Sequence, residues 1–201
     1  MRTILFGIAL AMLPPIPAIA QRVVGGAPPP FPPPSGTATL HLTLPPHYIP
    51  DSLDVLVQQS SAVVEAYVQT TLPPQEIPTR SLFTDAVLRV VRAFKGPTDL
   101  TSIVVGQQGG TVGGFTIRPV QYDMMHPGEH YILFLKPEKR RNLLERPGSV
   151  RFAATGEWGG YFRVTDDNTI KLAPATSAGL RAAYHGKAAD QVINELLAMI
   201  P

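Results

Sequence analysis

The sequence predicts a mainly β protein, a small antiparallel barrel or sandwich with helices at its periphery. Three observations point there. Short apolar runs of strand character recur between Ala62 and Leu172, bounded by proline, glycine and asparagine turn residues. One of them, Phe83 to Phe94, is long and apolar on both faces, the pattern of a strand that coils through two parts of a closed or nearly closed sheet. Four glycines (109, 110, 113 and 114) then let the backbone take unusual angles at a crossing between strands.

The chain has 201 residues and begins like an export leader. Arg2 supplies a positive start, Ile4 to Leu13 an apolar stretch, and Ala18-Ile19-Ala20 a small-x-small cleavage site before Gln21. That stretch is too short to span a bilayer, and prolines 14, 15 and 17 keep it from continuing as a helix. Residues 1–20 therefore read as a cleavable signal peptide, which places the protein in the periplasm or outside the cell. Cysteine is absent, which rules out disulfides, thiolate metal ligands and cysteine nucleophiles. With 17 basic against 15 acidic residues, the charge balance offers nucleic acid no footprint.

Residues 21–50 read as a tether, with Pro28 to Pro34 extended. Within it, Thr37 to Leu44 alternates like an edge strand and is stopped by Pro45 and Pro46. Residues 51–175 form the expected barrel domain. Asp51 or Ser52 caps a short helix with Leu53, Leu56, Val57 and Ser60 on one face. Ala62 to Val68 is a strand, and Leu72 to Pro78 a proline-rich loop. The long strand sets Ala86, Leu88, Val90 and Phe94 against Asp85, Val87, Arg89 and Val91. Lys95 to Thr98 is a turn, and Ile103 to Val105 a short strand. Pro127-Gly128 turns the chain into Tyr131 to Leu135, the densest apolar run after the leader and the candidate central strand. Lys136 to Ser149, with Lys139-Arg140-Arg141, reads as an exposed loop. Arg151 to Ala154 and Tyr161 to Val164 are short strands, and Asp166-Asp167-Asn168 turns into Ile170 to Leu172. Residues 176–201 read as a tail whose helix carries Val192, Ile193, Leu196, Leu197 and Ile200 on one face.

Few motifs carry chemistry. His126-Pro127-Gly128-Glu129-His130 matches the inverted zinc-protease pattern H-x-x-E-H, which needs both histidines on one helical face. The Pro-Gly pair is turn chemistry and breaks that geometry. The glycine cluster lacks the Lys-Ser/Thr ending of a phosphate loop, and no serine sits in a G-x-S-x-G elbow. Gly156 to Arg163 places the one tryptophan, Trp158, beside Tyr161 and Phe162 in a glycine-flexible setting. Such aromatics either bind a ligand or close the core.

From Asp51 to Leu172 the order of landmarks resembles exported bacterial proteins of uncharacterised role. Their domain is similar to the OB-fold barrel of tissue inhibitors of metalloproteinases and netrin-like modules. Gln58-Gln59-Ser60-Ser61, Val63 to Val68, Val90 to Gly96, Gly109 to Gly114, Pro127-Gly128-Glu129, Ile132 to Leu135 and Gly159 to Val164 carry the resemblance. It implies an OB-like barrel with a short N-terminal and a C-terminal helix. The animal inhibitors chelate zinc through an N-terminal cysteine, and that mechanism does not transfer to a chain without cysteine. The expected function is an exported, non-catalytic binding module without cofactor or metal, its partner a protein or glycan. Such barrels bind across one face and its bordering loops, which makes Phe115, Tyr122, Trp158 and Tyr161 the candidate contacts. Two alternatives stand beside it: a metal-dependent hydrolase of envelope material built on His126, Glu129 and His130, and a structural spacer or assembly subunit.

Overall fold

The computed structural model describes residues 37–44, 48–77, 81–138 and 151–200. The leader at 1–20, the proline run at 28–34, Pro45, Pro46 and the basic loop at 139–149 lie outside them. In chain order the elements begin with β1 (Ala38–Leu42), α1 (Leu53–Gln59), β2 (Ala62–Thr71), β3 (Gln75–Ile77), β4 (Ser81–Lys95) and β5 (Ser102–Gln108). They continue with β6 (Gly110–Val112), β7 (Phe115–Pro119), β8 (His130–Pro137) and β9 (Arg151–Ala154). A 3-10 turn (Glu157–Gly160), β10 (Tyr161–Val164), β11 (Ile170–Leu172), α2 (Ala178–Tyr184) and α3 (Ala189–Met199) complete them.

Five strands close into a barrel in the order β2-β4-β5-β9-β8 and back to β2. Counted along the barrel's own strands this is 1-2-3-5-4, and the third and fifth, β5 and β9, run parallel. This is the Greek-key arrangement of an OB-like barrel. The fold class therefore matches the expectation, except that the antiparallel pattern has this one parallel seam. β10 and β11 extend the sheet outward from β8, and β3 adds to β4. The alternating stretch at 37–44 does form an edge strand, β1, but in a separate three-stranded sheet, where it runs parallel to β7 beside β6.

Two apolar cores lie on opposite faces of β2 and β8. Ala62, Val64, Ala66, Leu88, Ile103, Tyr131, Leu133, Leu135 and Phe152 fill the barrel. Val63, Ile132, Phe134, Phe162, Ile170 and Leu172 face the other way, onto Leu53 and Leu56 of α1, Leu180 of α2, and Val192 and Leu196 of α3. The helices are short and gain their stability from this burial rather than from length. Ser60, expected on the packing face of α1, is buried, donates to the Leu56 carbonyl (2.7 Å) and lies within hydrogen-bond distance of Thr155 Oγ1 (2.9 Å). Ser177 caps α2 by accepting from the Leu180 N–H.

Two face assignments change. The long strand does not keep Val90 and Phe94 on one face. Residue pairing along β2 and β4 jumps from Val64↔Ala93 to Val63↔Lys95, skipping Phe94, with a second jump beside Val91. Each bulge shifts the two-residue alternation, so Val90 and Ala93 turn toward the barrel while Phe94 packs on the helix side. In α3, Leu197 is 53% exposed, although Val192 and Leu196 are fully buried. The sheet meets a narrower stripe of the helix than the apolar pattern spans. Among the described residues no helix is long and apolar enough to cross a membrane.

Phe134 is completely buried, its ring 5.0 Å from that of Phe162. Phe134→Ala should destabilise the fold by about 3–5 kcal/mol in urea unfolding, from lost transfer energy plus a cavity. Leu197→Ala should stay within about 0.5 kcal/mol of the parent protein.

Candidate functional site

The outer face of β4, β5 and β9 and the end of the barrel together bound a cavity of about 720 Å³. Phe83, Gly106, Gln108 and Ala153 line it from the strands, and Tyr122, Trp158 and Tyr161 from the barrel end. Lys136, Glu138 and Glu157 add charge to its lining.

Two of the three aromatics are held by hydrogen bonds to backbone carbonyls. The Tyr122 hydroxyl donates to the Gln108 carbonyl (2.8 Å), and Trp158 Nε1 donates to the Ala175 carbonyl (3.0 Å). Tyr161 opens β10 opposite Leu133. The Tyr122 ring lies 6.3 Å from Trp158, nearly parallel, and 6.1 Å from Tyr161, edge to face. Such pairs stabilise by about 0.5–1.5 kcal/mol beyond their buried area. Trp158 is only 3% exposed, and the two tyrosines 9%. The trio therefore closes the core and lines the cavity at once. Phe115 is not part of it. That residue starts β7, between Ala38 and Val112 in the small sheet.

The glycines around Trp158 serve close packing, where the sequence suggested flexibility. A Cβ on Gly159 would lie 2.5 Å from Ile49 Cγ2, and one on Gly160 would lie 2.6 Å from the Thr155 carbonyl oxygen. The turn that carries Trp158 is wedged between Ile49 and the barrel, and only glycine fits at these positions.

Sequence reasoning missed the polar centre of this face. Arg151 on β9 forms an ion pair with Asp85 on β4, across the intervening strand β5. It passes over Gly106, where an added Cβ would lie 2.9 Å from the guanidinium. The Asp85 side chain is 3% exposed and that of Arg151 15%. A carboxylate in the middle of an otherwise buried strand segment was the available signal, because such a group needs a partner.

The H-x-x-E-H residues are placed by a turn and a strand. Glu129 accepts from the His126 backbone N–H (2.8 Å) and from the Tyr131 hydroxyl (2.7 Å), and pairs with Arg163 (3.0 Å). Burial, reinforced by Glu129, pushes the Tyr131 phenol far above its usual range. His130 lies 3.0 Å from Glu65 and stacks on Tyr67 with ring centroids 4.2 Å apart, while His126 is exposed in the turn. Among the described residues no group of three or more histidine, aspartate or glutamate side chains is placed to hold a metal. No protein-family model matches the chain, and no curated protein matches it significantly.

These contacts set two expected outcomes. Asp85→Ala strands a buried guanidinium and should destabilise by about 3–5 kcal/mol, whereas Asp85→Leu with Arg151→Met should recover most of that loss in the same denaturation assay. The Glu65 carboxyl is held below its ordinary value of 4.5, first by its hydrogen bond to His130, with burial opposing, then by the charges of His130 and Arg92. Its stabilisation is complete above pH 4.5 and is lost as pH falls through the lowered folded value. Urea midpoints measured from neutral pH downward should therefore fall less steeply below pH 4.5 in Glu65→Gln than in the parent.

Proposed function

We propose that the chain is an exported, non-catalytic binding module that seats part of a protein or glycan in the aromatic-lined cavity. The observation that carries this reading is the convergence of Tyr122, Trp158 and Tyr161 on a cavity of about 720 Å³. Its strand-borne part includes Phe83 of β4 and Gly106 and Gln108 of β5, the second and third barrel strands, whose face OB barrels use for extended polymers, and continues onto Lys136 of β8 and Ala153 of β9. Cavities of this size with aromatic walls and a few polar groups suit ligands of several sugar or amino-acid units. Export rests on the leader pattern at 1–20. Kinship with exported proteins carrying a domain like that of the metalloproteinase inhibitors and netrins rests on the landmarks from 51 to 172.

Trp158 is the one tryptophan of the chain and reports on the cavity without labelling. In protein from Gln21 onward, envelope glycan fragments or extended peptides should shift its emission saturably. Lys136→Ala, at an exposed lining position, should weaken the response, and Tyr161→Ala should abolish it in protein shown to be folded by circular dichroism. If neither ligand class shifts the emission of the folded parent protein, the cavity is not the binding site.

A further inference from the structure

A second cavity, of about 190 Å³, shares Tyr122 and Tyr161 with the first and is otherwise lined by residues of β8, β10, β11 and α2, by Asp123, Ala173 and Pro174 of the connecting segments, and by His185 just past α2. Its charges are unevenly matched. Arg163 pairs with Glu129 at 3.0 Å, and Lys171 with Asp123 at 3.4 Å. Arg181 has no carboxylate partner among the described residues. Its Nη1 donates to the carbonyls of Leu172 (3.3 Å) and Ala173 (2.9 Å), and neither its Nη2 nor its Nε bonds a described residue. Beside it, His185 Nδ1 accepts from the Leu172 N–H at 3.2 Å. A neutral imidazole that accepts at Nδ1 carries its proton on Nε2, so Nε2–H is a donor.

The lining thus presents one uncompensated guanidinium, a nearby imidazole N–H and tyrosine walls. Two of the three permanent cations are already matched one to one, which leaves a single positive charge. That favours a monoanion, and the planar fork of arginine matches a carboxylate in two parallel hydrogen bonds. The cavity of about 190 Å³ has room for a carboxylate on a short stem.

We propose that this cavity is a carboxylate site, in which the free edge of Arg181 and His185 Nε2–H hold an organic acid with a short stem. The acid would come from a peptide C-terminus or an acidic sugar. The site does not depend on the larger cavity being occupied. In the plain structural alternative, Arg181 only ties α2 to the end of β11, and the protein ignores carboxylates.

The test is a proton–nitrogen NMR titration of the chain from Gln21 onward at neutral pH. The probes are acetyl-alanyl-alanine against its C-terminal amide, and glucuronate against glucose. At least one acid should shift the Leu172 amide, the Arg181 Nε–H and the His185 ring saturably, with its neutral counterpart at least tenfold weaker. Tighter binding of the peptide acid identifies a chain terminus as the source, and tighter binding of glucuronate an acidic sugar. Arg181→Lys keeps the charge and one carbonyl bond but loses the fork, and should weaken the acid at least tenfold while the spectrum stays folded. His185→Ala, at an exposed position, should weaken it several-fold. The proposal is overturned if no acid binds saturably, if acid and neutral probes bind equally, or if both variants bind as tightly as the parent. Because these signals lie outside the tryptophan cavity, a silent Trp158 with a responsive Arg181 would remove only the larger site.

Discussion

Every side chain from Tyr131 to Leu135 is buried, because β8 has an apolar core on each of its faces. Tyr131, Leu133 and Leu135 point into the barrel, and Ile132 and Phe134 point toward the helices. Full burial of such side chains stabilises by about 1.5–3 kcal/mol each, so this short strand concentrates much of the hydrophobic gain. It also pairs with β2, β9 and β10, and so joins the barrel to the layer beyond it. In a strand that is apolar on both faces, alternation alone does not say which side chains enter the barrel. Polar pins at its two ends supply the missing specification. Tyr131 bonds Glu129 and His130 meets Glu65 at the start, and the Thr155 N–H bonds the Phe134 carbonyl near the end.

What the sequence made legible is what local pattern encodes. The apolar density of Tyr131 to Leu135 marks a central strand, the Pro127-Gly128 pair marks a turn, and the two-faced run from Phe83 to Phe94 marks a strand that coils. The face assignment of Phe94 was not legible, because a bulge is decided by the partner strand and leaves no mark on its own segment. The seven residues of α2 lack the length for a clear helical period. They are helical because Leu180 has a sheet to cover. Tyr122, Trp158 and Tyr161 could be picked out one by one as aromatics, and their meeting is a product of barrel closure. Phe115 shares their chemistry, but its strand belongs to the other sheet.

The same closure fixes the walls of the two cavities. Tyr122 and Tyr161 belong to both linings, so the larger opening and the small basic one share a wall of two rings. A ligand in either would contact side chains already fixed by core packing, which lowers the entropy lost on association. Tyr122 donates to the Gln108 carbonyl of β5 and Tyr161 opens β10, so the geometry of both linings is inherited from the fold.

The parallel seam between β5 and β9 has only two residue pairs in register, Val104↔Arg151 and Val105↔Phe152. One of those four residues is the arginine that reaches Asp85. An ion pair resists separation less than an apolar contact of equal size, because both charges regain their hydration as they part. An opening confined to this seam would leave the helix-side core in place but would part Val105 from Phe152, both of the barrel core. Such an opening would widen the large cavity from its strand side, so ligand entry and release would follow the tempo of the seam rather than that of global unfolding.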